Sequence, residues 1–149
     1  MLLIPGWADQ LDADSEAALE ALAPDEIAVL GATASISEGV EGDLRPISAK
    51  VRRFSGNDRF DTNQMLNGAY RSSPYVALSF LANGSGFADA LAGAAAAAAY
   101  GAPIYLSRQS CIPRGALYTL DAWDWDRVIL LGGEPSLSSS VANLESCEW

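Results

Sequence analysis

A glycine-rich turn separates an apolar stretch from an alanine-rich stretch, an order that is typical of ligand sites in α/β proteins. Residues 84–89, Gly-Ser-Gly-Phe-Ala-Asp, have the first two glycines of the dinucleotide fingerprint, but Asp89 takes the third position. A carboxylate there would repel a pyrophosphate, whereas in a first helical turn it complements the helix dipole. The lysine of a P-loop and the leading glycine of a nucleophile elbow are also missing from this turn. We therefore predict a structural joint that holds no cofactor.

The chain offers little catalytic chemistry. It contains no histidine, which excludes Ser-His-Asp triads, Cys-His dyads and His-ligated zinc. The two cysteines, Cys111 and Cys147, are too few and too far apart for a metal cluster, and the residues alone leave open two buried thiols or a disulfide. We predict no catalytic residue and no metal site.

Two clusters of side chains have a functional and a structural interpretation. The pair Asp58 and Asp61 and the carboxylates of residues 121–126 could form a glycosidase pair, but their settings indicate a helix start and a helix end. Trp123 and Trp125 could form a platform for sugar stacking, although core or edge packing is the simpler interpretation.

Charge is distributed unevenly along the 149 residues, whose formal net charge is -10. Residues 1–44 hold ten of the 19 acidic residues and no lysine or arginine, while the next stretch, up to Arg71, has a local basic excess. An acidic chain is not expected to bind nucleic acid, and no apolar run is long enough to span a membrane. The N-terminus lacks the basic segment of a signal peptide, so a secreted protein is expected to be longer than this chain.

An internal repeat organises the sequence. Residues 2–44 align without a gap on residues 103–145 at a shift of 101 positions, so that residues 27–32 fall on 128–133 and residues 35–37 on 136–138. We predict that residues 1–45 are the second half of one repeat and that residues 46–149 are a complete repeat.

Apolar stretches alternate with helical patterns along the complete repeat. This order predicts an α/β fold, a parallel sheet flanked by helices on both faces in a three-layer, Rossmann- or flavodoxin-like repeat. The predicted strands are residues 51–55, 75–81, 103–107 and 127–131, with residues 2–4 and 26–30 in the half-repeat; helices are expected around residues 60–69, 87–100 and 112–123 and after Ser136.

Four motifs in order resemble the cell wall binding repeat type 2 family. They are residues 53–62 (Arg-Phe-Ser-Gly-Asn-Asp-Arg-Phe-Asp-Thr), residues 87–91 (Phe-Ala-Asp-Ala-Leu), the strand at 103–107, and residues 127–133 followed by Ser-Leu-Ser. The resemblance implies an extracellular bacterial protein that is associated with the cell wall, with repeats usually in threes. It implies a non-catalytic module that anchors a secreted protein to an anionic wall polysaccharide, and leaves any catalysis to a separate domain.

A groove that binds such a polymer needs arginines and hydroxyl or amide donors. The candidate ligand-binding residues are Arg53, Arg59, Asn83, Ser107 and Ser138, and the motif residues with an expected structural role are Gly56, Asp58, Thr62, Asp89, Gly132 and Gly133. We expect the loss of Arg53 and Arg59 to weaken wall binding more than the loss of Arg114 and Arg127. In an extracellular module, Cys111 and Cys147 are expected to form a disulfide.

Other functions remain open at this stage. The chain could be a structural repeat that packs against sister repeats without a ligand, or a small-ligand α/β enzyme. The half-repeat could add its strands to the sheet of the complete repeat or pair with another chain; we favour pairing between chains, which predicts a homo-oligomer. The opposite charges of residues 1–44 and 45–71 favour contact between these two segments.

Overall fold

A computed structural model describes residues 2–70, 78–122 and 126–148. Its helices and strands alternate along the chain, and all of its strand pairs are parallel, which confirms the predicted α/β class. In the described residues the elements are α1 (Ala13–Leu22), β1 (Ile27–Leu30), α2 (Glu38–Leu44), β2 (Val51–Phe54), α3 (Arg59–Ala69), β3 (Leu78–Asn83), α4 (Ala88–Tyr100), β4 (Ile104–Ser107), α5 (Arg114–Asp121), β5 (Arg127–Leu131) and α6 (Ser139–Ala142).

The chain forms two compact units, unit 1 (Met1–Gly56) and unit 2 (Asn57–Trp149). Unit 1 holds a two-stranded sheet in which β1 pairs with β2, and unit 2 holds a three-stranded sheet in the order β4-β3-β5. The half-repeat therefore does not extend the sheet of unit 2. Instead, its strand β1 pairs within the same chain with β2, which is the first strand of the predicted complete repeat.

Unit 1 is built around a small apolar cluster. Val29 of β1 and Val40 and Leu44 of α2 are buried at its centre. Glu26, next to β1, pairs with Lys50 and Arg52, so the acidic and basic segments meet within this unit as predicted.

The predicted strand at residues 2–4 is wrong. This segment is irregular, with Leu3 72% exposed, and a turn follows in which the Ala8 amide donates to the Pro5 carbonyl. Its counterpart in the internal repeat is β4, which pairs only with β3. The described part of unit 1 has no strand equivalent to β3, so the segment lacks a partner.

The sheet of unit 2 is covered on both faces, as predicted. Leu81 and Tyr105 are neighbours in register and lie with residues of α5 and α6 in one buried cluster. Residues on the opposite face meet α4, where the side chain of Leu131 lies directly against Gly93. The absence of a side chain at Gly93 allows this close packing of helix and sheet. Of the predicted strand at 75–81, residues 75–77 lie outside the described residues.

Helix α3 covers the outer edge of β4 through a side-chain amide. Asn63 Oδ1 accepts a hydrogen bond from the Leu106 amide at 3.0 Å, and Asn63 Nδ2 donates to the Ile104 carbonyl at 2.9 Å. Asn67 Nδ2 donates to the same carbonyl at 3.0 Å. These bonds satisfy backbone groups that an edge strand would otherwise leave unpaired.

The C-terminal segment is tied to the start of α5. A disulfide joins Cys111 to Cys147, and the amides of Ile112 and Cys147 bond to the carbonyls of Glu145 and Ile112. The sequence left open whether the two cysteines are buried thiols or form a disulfide, and they form a disulfide.

Candidate functional site

Arg53, a candidate ligand residue, lies in unit 1 and makes three contacts there. Its Nε donates to Glu41 Oε2 at 2.7 Å, its Nη1 to the Gly31 carbonyl at 2.7 Å, and its Nη2 to the Ser37 carbonyl at 3.4 Å. The guanidinium side chain is 15% exposed and the Glu41 side chain 19%. Arg53 therefore holds the loop after β1 and the start of α2 against β2.

Glu41 is held as a carboxylate by two arginines. The hydrogen bond from Arg53, followed by that from Arg45, lowers the pKa of Glu41 below its ordinary value of 4.5. Arg45 approaches Glu41 Oε1 at 3.2 Å but is 71% exposed. Since Lys50 and Arg52 pair with Glu26, every lysine and arginine of unit 1 has an acidic partner within the unit.

Arg59, the second candidate arginine, begins α3 in unit 2 and reaches the glycine turn. Its Nη1 donates to the Gly84 carbonyl at 2.7 Å. A Cβ at Gly84 would lie 2.6 Å from Phe60 Cε1, so only glycine lets the aromatic ring approach the turn this closely. The turn, which connects β3 to α4 in the chain, is thus also held against the start of α3.

Arg108, which the sequence reasoning missed, approaches the same place from the loop after β4. Its guanidinium carbon lies 5.2 Å from the centre of the Phe60 ring, within the range of a cation–π contact. Neither Arg59 nor Arg108 forms an ion pair with any residue that the structure describes. We call Arg59, Phe60, Arg108 and the turn at residues 84–87 the arginine cluster.

The arginine cluster lies at the carboxyl ends of β3 and β4, where ligands of open α/β sheets bind. Phe87, in the same turn as the Gly84 carbonyl that Arg59 contacts, is 78% exposed. The fold thus presents two guanidinium groups and an aromatic surface together. Guanidinium groups bind carboxylate and phosphate in a bidentate manner, and aromatic faces stack on sugars.

The three polar candidates make contacts within unit 2. Asn83 Nδ2 donates to the Ser136 carbonyl at 2.8 Å and its Oδ1 accepts from the Ser85 amide at 2.8 Å. Ser107 Oγ is buried 3.5 Å from the Ala82 carbonyl. Ser138 is the N-cap residue of α6, and its Oγ is buried without a hydrogen bond to a described residue. These positions shape the loops after the strands.

The motif residues stabilise helix starts and tight turns. Asp58 caps α3 by accepting from the amides of Phe60 and Asp61, and Thr62 Oγ1 donates to the Asp58 carbonyl. Gly132 has a φ of 113°, and an added Cβ would lie 2.6 Å from Asp89 Oδ2. The Gly133 carbonyl accepts from the amides of residues 136 and 137, and Gly56 ends unit 1.

Asp58 and Asp61, which the sequence offered as a glycosidase pair, both form hydrogen bonds at the start of α3. Asp58 is the cap just described, and Asp61 Oδ2 accepts from the Asn57 side chain at 2.9 Å. The other acidic group, in residues 121–126, includes Asp124, which lies outside the described residues together with Trp123 and Trp125. In residues 2–70, 78–122 and 126–148, no three potential ligands gather as a metal site, and no helix has the length and hydropathy needed to cross a bilayer.

Comparison with known proteins decides the family. Residues 53–142 match the sequence profile of Cell wall binding domain 2 (CWB2). The chain belongs to the CWB2 family. This confirms the resemblance seen in the four motifs, the expected extracellular, wall-associated location, and the coarse function of a cell-wall-associated binding module.

Relatives share this CWB2 region over most of the chain. The amidase enhancer of Bacillus subtilis is 34% identical over 141 residues, which cover 91% of this chain and 18% of that protein. The N-acetylmuramoyl-L-alanine amidase LytC of the same organism is 22% identical over 135 residues, covering 91% and 27%. The chain therefore spans about a fifth to a quarter of the length of these relatives.

Two solved structures share the fold. Cwp6 from Clostridium difficile superposes with a TM-score of 0.78 at 24% identity, covering 92% of this chain and 22% of that one. Cwp8 from the same organism gives a TM-score of 0.72 at 28% identity, covering 89% and 22%.

Proposed function

We propose that this CWB2 chain is a non-catalytic module that anchors a secreted bacterial protein to an anionic wall polymer through the arginine cluster. The observation that carries the proposal is the meeting of Arg59 and Arg108 at Phe60 and the glycine turn, without acidic partners among the described residues. Phosphate or carboxylate groups of a polymer would supply the missing anions, and the exposed Phe87 ring would contact its sugars.

The ion pairs favour unit 2 over unit 1 as the binding surface. The cations of unit 1 are already neutralised by Glu26 and Glu41, so a polyanion would have to displace a carboxylate before it could bind there. This argument removes Arg53 from the ligand set predicted from the sequence and adds Arg108. Arg59 stays in the set with two roles, because it also holds the Gly84 carbonyl.

The net charge of -10 does not oppose a local anion site. At physiological ionic strength the Debye length is about 8 Å, so exposed acidic groups farther away than this are largely screened from a bound anion. Carboxylates closer to the arginine cluster would repel a bound anion more strongly. Of these, Asp58 already accepts hydrogen bonds from two α3 amides, and Asp61 accepts one from Asn57. We expect a modest affinity that several repeats would raise together by avidity.

A pull-down on purified sacculi tests the proposal. The chain should be retained by intact sacculi and lost from sacculi stripped of their anionic polymers. The variant R108Q should be retained less than R127Q, because Arg127 begins β5 at the opposite end of the strands from the cluster. Retention that is equal for both variants, or that survives removal of the polymers, would contradict the proposal.

A specific observation also favours the alternative of a packing repeat without a ligand. Arg53, Asn83 and Ser107, all sequence candidates for binding, have side chains that contact backbone groups of their own unit. If these motif residues serve only the fold, the chain would assemble with sister repeats and bind no polymer. In that case R59Q would lower the melting temperature while R108Q would leave both retention and stability unchanged.

A further inference from the structure

The loop between β4 and α5 carries Arg108. Residues 108–110 are exposed, so burial does not fix this loop in place. Its two ends are fixed instead: Ser107 at the end of β4 is buried, and the Arg108 amide donates to the Cys111 carbonyl at 3.0 Å. The position of the Arg108 guanidinium beside Phe60 therefore depends on how firmly Cys111 is held.

Cys111 is held by the segment that follows α6. The disulfide joins it to Cys147, and the Ile112 amide donates to the Glu145 carbonyl at 2.9 Å. The Cys147 amide donates in turn to the Ile112 carbonyl at 2.9 Å, which completes a short parallel bridge between Ile112 and Ser146. A covalent link and a backbone bridge thus hold the residue at which the loop ends.

The chain adopts an unfavourable backbone conformation to reach this position. Leu144 has a φ of 58°, in the left-handed region that a side chain with a Cβ disfavours. Such conformations persist when the surrounding structure fixes them. Because the disulfide lies three residues beyond Leu144, its removal would allow this turn to relax and the segment to leave Ile112.

Unit 1 holds the equivalent loop by side chains instead of a disulfide. The Leu11 amide donates to Asp43 Oδ2 at 2.9 Å, and Ser37 Oγ donates to the Asp9 carbonyl at 3.0 Å. At the shift of 101 residues that relates the two copies, Leu11 falls on Ile112. The same place in the fold is therefore fixed in both units.

Unit 2 has neither of these side-chain links. The counterpart of Asp43 is Leu144, whose side chain accepts no hydrogen bond. The counterpart of Ser37 is Ser138, whose buried Oγ bonds to no described residue. The Ser138 amide does donate to the Gln109 carbonyl at 2.8 Å, but this bond does not reach the end of the loop. The disulfide therefore takes the place of the missing links.

We propose that the Cys111–Cys147 disulfide positions Arg108 for binding of the anionic polymer, a role that rests on the proposed function of the arginine cluster. An arginine that is ordered before binding loses less side-chain and loop freedom when the polymer binds, and the affinity is higher for that reason. The two cysteines are thus positioning residues of the binding site in addition to stabilising unit 2.

Calorimetry with the purified anionic polymer tests this role. The variant C111S/C147S should bind about fivefold more weakly than the cross-linked chain, as expected when one long side chain must be ordered on binding. Adding R108Q to that variant should weaken binding only about twofold further, against about tenfold in the cross-linked chain, because the two changes act on the same contact.

A control variant separates positioning from general stability. G93A disturbs the packing of α4 on Leu131, away from the loop, and should bind the polymer as the original chain does. Slow hydrogen exchange at the Leu81 amide verifies that unit 2 of each variant is folded. An equal loss of affinity in G93A and C111S/C147S would overturn the positioning role.

NMR of the Arg108 side chain provides a readout that needs no polymer. Protons above the face of an aromatic ring resonate upfield, so the side-chain protons of Arg108 should be shifted upfield by Phe60 in the cross-linked chain. The shift should persist in G93A and shrink in C111S/C147S. Absence of the shift in the cross-linked chain would overturn the positioning role, and this measurement does not require the serine variant to fold.

R108Q distinguishes a failure of the proposed function from a failure of the positioning role. If R108Q binds the polymer as tightly as the original cross-linked chain, the proposed function is wrong and the positioning role falls with it. If R108Q binds more weakly while C111S/C147S keeps the original affinity, the arginine cluster stands and the positioning role alone is overturned.

Discussion

Replacing Arg53 with methionine should destabilise unit 1 selectively. The substitution keeps much of the apolar stem but removes the contacts to Glu41, Gly31 and Ser37. Exposed ion pairs contribute about 0–1 kcal/mol, while breaking a fully buried pair costs about 3–5 kcal/mol. With side chains 15% and 19% exposed, the pair lies between these limits, and we expect R53M to cost ~2–3 kcal/mol.

Arg45 provides a matched control because it pairs with the same carboxylate. Its side chain is 71% exposed, so R45M should cost less than ~0.5 kcal/mol. Hydrogen exchange of Val29 and Val40 amides reports the stability of unit 1, and that of Leu81 reports unit 2. R53M should accelerate exchange at the first two and leave Leu81 little changed. Equal effects of R53M and R45M would refute the structural role of Arg53.

The same pair makes the stability of unit 1 depend on pH. The pKa of Glu41 is lowered in the folded state by Arg53 and then Arg45. A lowered folded pKa adds stability above the ordinary value of 4.5, and this stability is lost as the pH falls through the folded value. The difference between the original chain and R53M should therefore be largest near neutral pH and shrink in acid. A constant difference down to pH ~2 would contradict this assignment.

Two further changes test the packing and the cross-link of unit 2. G93A should lower the free energy of unfolding by ~1–3 kcal/mol because the added methyl group would overlap Leu131. G68A should raise it by ~0.5–1 kcal/mol, because a Cβ at Gly68 would have no atom within 4 Å. Urea unfolding of both variants checks the contrast. Replacing Cys111 and Cys147 with serine opens a loop of 36 residues and should cost ~3–4 kcal/mol in the chain-entropy description; alkylation without reductant, read by intact mass, should find no free thiol in the original chain.

The alternation of helices and strands could be predicted from the sequence because buried parallel strands are nearly continuous apolar runs. The runs ending in Ser107 and Leu131 gave strands β4 and β5 close to their observed bounds. The same rule failed at residues 2–4, which are equally apolar. A strand also needs a neighbour to bond to, and apolar character alone does not reveal whether one is present.

The sequence alone could not predict which strand pairs with β2 or what Asn63 does. The internal repeat assigns β2 to the complete repeat, together with the residues after it. The backbone of β2 nevertheless pairs with β1, which belongs to the half-repeat before it. Asn63 is a polar residue inside a helical pattern, and only the position of α3 beside β4 turns it into a cap for the strand edge.

Arg108 was missed because it stands outside the four motifs. The basic excess at residues 45–71 drew attention to Arg53 and Arg59, yet the acidic segment neutralises most of that excess within unit 1. Arg59 and Arg108, unlike the cations of unit 1, have no acidic partner among the described residues, and this depends on the folded positions of carboxylates far away in the sequence. Opposite charges in two segments can indicate contact between the segments as readily as a ligand site.

Titration of the purified, soluble anionic wall polymer into the chain tests the central claim most directly. Calorimetry at low and at physiological salt should give binding that weakens as salt rises. R108Q should bind about tenfold more weakly than the original chain, a loss of ~1.4 kcal/mol, while R127Q binds as the original does. Binding that ignores salt, or that R108Q and R127Q weaken equally, would contradict the assignment of polymer binding to the arginine cluster.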